Sequence, residues 1–180
     1  MNRRSLGSAR GFTLIELLIV VAIVGILAAL AMAGYRYARV RAGEASAMAS
    51  LQAINQAQTS FAVTCGNQRY APNLPSLAVP VPQTGQGFLS PDLTAADEVE
   101  KSGYRIVMSG TEPVDIVDVQ TCNQVRPVDS YQVTADPVHP GLGGVRYFGT
   151  NASRAIFADT DTFFENMPER GDPDHGSELR

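Results

Sequence analysis

Few residues in this chain are placed to do chemistry, and Glu16 is the first of them. It is the only charge in GFTLIELLIVVAIVGILAALAMAG, residues 11–34. A carboxylate in hydrocarbon costs about 2.5–3.5 kcal/mol at a helix centre and less near an end. A group held there points to function and requires a counter-charge. Cys65 and Cys122 form no CxxC pair, and His139 and His175 are not spaced to complete a zinc site with them. If the body of the chain is exported, a disulfide suits the two thiols, and the loop it closes stabilises the fold by about 4 kcal/mol on the chain-entropy account. Two buried free thiols fit only a cytoplasmic body. Asp159, Asp161, Glu165, Asp172 and Asp174 carry the hard oxygens that calcium takes, but their spacing matches no calcium loop. A solvated acidic tail is the plainer reading. Asn151-Ala152-Ser153 is a glycosylation sequon, read here as part of an exposed loop. No nucleotide loop, GxSxG elbow, HExxH or paired catalytic carboxylates occur. His139 and His175 read as structural or solvated, and Tyr35, Tyr37 and Phe61 as helix-packing aromatics. No enzyme, cofactor or metal is expected.

The elements that position these residues follow from composition. All eleven prolines lie at or beyond Pro72, so the first third can form one uninterrupted helix while the remainder must be rich in turns. Leu17 to Ala33 holds no polar side chain, and with Leu14 and Ile15 it reaches the roughly 20 residues that span a bilayer core. Alanine-rich, proline-free sequence follows, in which Met48, Leu51, Ile54, Gln58 and Phe61 recur at spacings of three and four. That pattern lays one stripe against a core, and Gly66 with Asn67 supplies the stop. The spacing predicts a helix over about 13–64, roughly 75 Å long. A body of little over a hundred residues, ~30 Å across, cannot cover such a length. Its first half must therefore enter a membrane or other copies of itself.

The charge is divided too. Six of the 14 Lys and Arg residues precede residue 42, where Glu16 is the only acid; from there on, 8 basic residues face 17 acidic ones. An acidic body argues against general nucleic-acid binding by charge, and no nucleic-acid partner is expected. Three arginines flank the apolar run on each side, so charge does not set its orientation. The segments GYRIVM, VDIVDVQ, SYQVTA, GVRYFG and RAIFAD read as strands. Tyr131, Val133 and Ala135 alternate with Gln132 and Thr134, as on a sheet with one buried face. The stretch from Arg69 to Leu93, with five prolines, reads as a surface loop joining helix to sheet.

The stretch GFTLIELLIVVAIVGILAALA resembles the leader junction and N-terminal helix of type IV pilins and the pseudopilins of type II secretion: a short basic leader ending in Gly11, then Phe12, Thr13 and Glu16, then an unbroken apolar helix with Gly25 inside it. The resemblance is close over about the first thirty-five residues. KSGYRIVMSG and ADPVHPGLGGVRYFGTN resemble pilin-like globular halves more loosely. The resemblance implies that a prepilin peptidase cuts between Gly11 and Phe12 and that Phe12 is then N-methylated. It also implies a partner for Glu16, the amino group of Phe12 in a neighbouring subunit, which would make the glutamate a registration device for assembly. Two features depart from the family. Many members carry proline where this chain has Ala33, leaving only Gly25 and Gly34 to loosen the helix. The chain also has no Trp, whereas major pseudopilins often end in a Trp-containing calcium loop.

These readings combine into an α+β fold, a long N-terminal helix with a hydrophobic stalk and an amphipathic half packed on an antiparallel β-sheet head. The expected organisation is a leader over 1–11, a transmembrane and filament-core helix over 12–38, and a globular head over 39–180 that includes the amphipathic half-helix. Cys65 and Cys122 would tie the end of the stalk to the head. The function implied is a structural subunit of a type IV pilus, driven together by burial of helix surface. The alternatives are a pseudopilin of a type II secretion system and a secreted soluble binding domain freed by signal cleavage after Ala33. The partners implied are other copies of the chain, the prepilin peptidase and the pilus or secretion machinery. The expected location is single-pass in the inner membrane before assembly, then an extracellular pilus or a periplasmic pseudopilus.

Overall fold

In the computed structural model, which describes residues 11–111 and 121–179, one helix, α1, runs from Leu14 to Thr64. It passes Gly25, Ala33 and Gly34 without a break. By contacts the chain divides into two units, Met1–Ala38 and Arg39–Arg180. The helix ends where Asn67 and Gln68 take left-handed backbone, with φ of 52° and 67°. Gly66 is required there, because a Cβ would lie 2.3 Å from the Arg69 carbonyl and 2.6 Å from the Phe61 ring.

In the second unit, the stripe on α1 faces the core. Leu51, Ile54, Gln58 and Phe61 are fully buried. Met48 only borders the core, and Ala47 takes the innermost place in that turn. Gln58 is the polar member, and its amide pairs with the backbone of Ala71 in both directions, donating to the carbonyl and accepting from the N–H at 2.8 Å each. Those two bonds satisfy a group that would otherwise be costly to bury.

Six strands form one antiparallel sheet in chain order: β1 (Glu98–Lys101), β2 (Tyr104–Ser109), β3 (Gln132–Pro137), β4 (Tyr147–Asn151), β5 (Ile156–Asp159) and β6 (Ser177–Glu178). Val99, Ile106, Ala135, Phe148 and Ala158 are successive cross-strand partners, and all are buried. They form one apolar row across five strands. The segment VDIVDVQ lies outside the described residues, and β1 and β6 carry no strand signal in the sequence.

Two expectations are corrected. The stretch from Arg69 to Leu93 is no surface loop. Ala71, Leu74, Leu77 and Leu93 are at most 2% exposed, short 3₁₀ turns form at Pro75–Ala78 and Pro91–Leu93, and Phe88 packs edge-on against Phe61 at 5.4 Å. Nor has the sheet a single buried face. Thr134, Gly149 and Phe157 are cross-strand partners on the opposite side, where Phe163 and Met167 cover them in a second cluster. Gly149 leaves room for that cover, since a Cβ there would lie 2.7 Å from the Met167 sulfur.

Candidate functional site

Among the described residues of the first unit, the helix has its apolar side chains uncovered. From Phe12 to Met32, fourteen large apolar side chains are exposed, by 48% at Val20 up to 81% at Leu14. The helix is long and apolar enough to cross a membrane by length and composition. Glu16 sits in its first turn. The Thr13 hydroxyl accepts from the Glu16 N–H at 3.3 Å and donates to the Glu16 carboxylate at 3.3 Å. This Thr-x-x-Glu pair is related to a capping box, in which a hydroxyl satisfies an orphan N–H of the first turn. It gives Glu16 a partner within its own chain, and the spacing was open to reading in the sequence.

At the far end of the helix, Cys65 and Cys122 are joined by a disulfide with Cα atoms 4.8 Å apart. The Cys122 N–H donates to the Cys65 carbonyl at 3.1 Å. The bond fixes the end of α1 to the segment that leads into β3.

Between these ends lies a residue that the sequence did not flag. Glu44, on α1 within the second unit, has a side chain only 1% exposed. It accepts from Arg146 at 2.8 and 3.1 Å, from the Val145 N–H at 3.3 Å and from Arg41 at 3.2 Å. Burial alone would push its pKa up, but the Arg146 and Val145 hydrogen bonds and the charges of Arg146 and Arg41 outweigh it and hold the carboxyl below its ordinary range. The clamp ties α1 to the loop entering β4. Tyr104 adds to it, donating its hydroxyl to the Arg146 carbonyl at 2.8 Å.

The polar residues of the tail do not converge. Asp161, Glu165, Asp172 and Asp174 are exposed, and among the described residues no three His, Cys, Asp or Glu side chains group as metal ligands. Asp159 meets His175 at 2.8 Å, a bond that holds the Asp159 carboxyl below its ordinary range, and His175 stacks on Phe163 at 4.8 Å. His139 is exposed. Asn151 is fully buried, contrary to the reading of its sequon as an exposed loop. Its amide donates to the carbonyls of Pro168 and Gly171 at 2.9 and 2.7 Å. The residue staples the C-terminal segment to β4 and is closed to a glycan in the folded head. Tyr35 and Tyr37 are exposed and Phe61 is in the core, so the three do not form a common group.

An exposed apolar helix with one carboxylate in its first turn, preceded in the sequence by basic residues, characterises the first unit. The family described as the prokaryotic N-terminal methylation motif matches residues 7–32. The type IV major pilin protein PilA of Myxococcus xanthus (strain DK1622) is 52% identical over 52 residues, which are 29% of this chain and 24% of that protein. The chain thus matches about a quarter of the relative's length, and the likeness is confined to its N-terminal segment. No solved structure matches the chain.

Proposed function

We propose that the chain is a structural subunit of a type IV pilus. Residues 1–11 are a leader that the prepilin peptidase removes by cutting between Gly11 and Phe12, after which Phe12 is N-methylated. The apolar helix over 12–38 holds the subunit in the inner membrane and then bundles with its copies in the core of the filament. The head over 39–180 forms the outer surface. Glu16 pairs with the Phe12 ammonium of a neighbour, because in a low-dielectric bundle a subunit out of register leaves both charges unpaired.

The observation that carries this reading is the run of fourteen exposed apolar side chains within the segment that the methylation motif matches. A surface of that extent requires lipid or protein around it. The name of the relative, a major pilin of a type IV pilus, favours a pilus over a pseudopilus. So does the lack of Trp, which the terminal loop of the major pseudopilins often contains. The role is structural rather than enzymatic, and an acidic head gives nucleic acid no electrostatic purchase.

The deciding experiment is the N-terminal sequence of the mature chain together with its recovery in sheared filaments. A start at N-methylated Phe12 and recovery in the filament fraction are expected. A start at Gly34 would instead reveal a secreted soluble domain, and a Phe12 start confined to the periplasmic side would reveal a pseudopilin.

A further inference from the structure

Two turns of the head play no part in the reading above, and each carries apolar tips that the fold leaves bare. Beyond residue 38, the large apolar side chains exposed among the described residues are Val63, Leu142, Val145 and Phe164. Leu142 and Val145 sit on the loop that enters β4. In that loop the Gly141 N–H donates to the Gly144 carbonyl at 2.7 Å, and the Leu142 and Gly143 N–H groups donate to the His139 carbonyl at 3.0 and 3.1 Å. The loop is seated on α1. A Cβ on Gly43 would lie 2.2 Å from the Gly143 carbonyl oxygen, and the Val145 N–H donates to Glu44 at 3.3 Å. Phe164 lies in a turn after β5. The Thr162 hydroxyl accepts from the Phe164 N–H at 3.0 Å, and the Asn166 and Met167 N–H groups donate to the Phe163 carbonyl at 3.0 and 2.9 Å. Buried Phe163 and Met167 anchor the turn on both sides, so Phe164 is held outward.

The charges beside these tips are opposite in sign. Exposed Arg39 lines one cleft with Gly143, and on the adjoining turn of α1 the single carboxylate of Glu44 faces two guanidinium groups, those of Arg41 and Arg146. Phe164 is instead followed by exposed Glu165 and preceded, three residues back, by exposed Asp161. A basic apolar loop thus matches an acidic apolar turn. One head cannot bring them together. The loop packs on the α1 side of the sheet, whereas Phe163 and Met167 hold the turn on the opposite face, over Gly149 and Phe157. Both lie at the same end of the sheet, since Tyr147 at the start of β4 pairs with Asp159 at the end of β5. A second copy standing alongside in the same direction can therefore set its turn against the loop of the first. The two surfaces differ, so the contact is heterologous, the kind that repeats along an open helical assembly.

We propose that neighbouring heads interlock here, Phe164 of one copy seating between Leu142 and Val145 of the next while Glu165 meets Arg39. The inference rests on reading the chain as a filament subunit. A phenylalanine buries about 150–250 Å², so the contact stays well below the roughly 1,200 Å² of a stable pairwise interface. It forms only where copies are already held side by side, and dispersed subunits do not pair through it.

The test uses the full chain in sheared filaments. Its two native cysteines are joined to each other, so thiols introduced by Leu142→Cys and Phe164→Cys are the reactive ones. With a short bis-maleimide, the variant carrying both should give a ladder of dimers, trimers and longer species. Each single variant should stay monomeric, as should the double variant dispersed in detergent and, in filaments, Val63→Cys combined with Leu142→Cys. Arg39→Glu and Glu165→Arg should each lower filament yield by up to about fivefold, the worth of an exposed ion pair, and their combination should restore it. If the thiols block assembly, this charge swap decides. Cross-linking of Leu142→Cys alone would show loop meeting loop and overturn the inference. Filaments of the double variant without a ladder overturn it too, as does a charge swap no better than the product of its single variants. A parent chain that forms no filaments overturns the filament reading itself, whereas the failures above leave that reading standing.

Discussion

Glu16 has two candidate partners, and they differ in a way a conservative substitution can separate. Within the chain, Thr13 accepts from its N–H and donates to its carboxylate, both at 3.3 Å. In an assembled filament its partner would be the Phe12 ammonium of a neighbour. A cap of this type contributes about 1 kcal/mol, a factor of roughly five in an equilibrium. Breaking a buried ion pair by removing one member costs about 3–5 kcal/mol, a factor on the order of 10²–10³. Glu16→Gln retains the acceptor that a capping box can use but loses the charge. Thr13→Ala does the reverse. Registration predicts that Glu16→Gln and Glu16→Ala both lose most filaments, with Gln intermediate at best, while Thr13→Ala loses few. Capping predicts that Glu16→Gln assembles normally and that Thr13→Ala resembles Glu16→Ala. Membrane insertion should be unharmed in the Glu16 variants, because a carboxylate leaves the hydrocarbon. The assay compares processed subunit in the membrane with subunit in the sheared filament fraction, with mass measurement to check cleavage after Gly11. Normal filament yield from Glu16→Gln would refute registration.

Three further outcomes follow from the head. Glu44→Gln should destabilise it by about 2 kcal/mol in denaturant unfolding, a charge-assisted bond to Arg146 being worth about 1.5–3 kcal/mol and the exposed Arg41 contact little. The folded-state pKa of Glu44 lies below its ordinary value of 4.5, so its contribution is complete above that value and is lost as pH falls through the lower folded pKa. The variant should therefore show less loss of stability over that acid range than the parent. Non-reducing peptide mapping should recover one linked Cys65–Cys122 peptide, and Cys65→Ser with Cys122→Ser should lower stability by up to about 4 kcal/mol in the chain-entropy account; an unchanged unfolding midpoint would contradict it. Phe163→Ala, at a fully buried position, should cost about 3–5 kcal/mol and render the segment after β5 sensitive to protease, whereas intact resistance would show that the outer cover contributes little.

Some of this was legible in the residues. The helix was readable over its whole length because proline is absent before Pro72 and apolar spacing persists to Phe61. The four strands β2 to β5 were readable because β-branched and aromatic residues alternate between turn residues. β1 was not, since Glu98, Glu100 and Lys101 read as solvated. Only pairing reveals it, through Val99 against Ile106 and a two-residue turn at Ser102 and Gly103 with φ of 52° and 82°, the left-handed pair that joins hairpin strands. The stretch from Arg69 to Leu93 was misread because proline stops regular structure without preventing burial; Leu74 and Leu77 enter the core regardless. Sequence periodicity could not find Glu44 at all, as its partners Val145 and Arg146 lie about a hundred residues away.

The two halves of α1 solve the same problem by different means. From Ala47 to Phe61 the helix buries its stripe within its own chain. From Leu14 to Met32 it leaves thirteen large apolar side chains uncovered, at about 1.5–3 kcal/mol each for transfer out of water. That sum explains why the segment cannot stand in water, but it does not by itself explain assembly. A lipid bilayer already satisfies the same surface, and between lipid and a helix bundle the hydrophobic term nearly cancels. Nor does it choose a register, because apolar burial is non-directional. In the filament we propose, assembly would then be decided by smaller, specific terms: close backbone approach at residues such as Gly25, which has nothing within 4 Å of its added Cβ in the single chain, and the pairing of one carboxylate. A Glu16 substitution should therefore register in filament yield far more than in membrane retention.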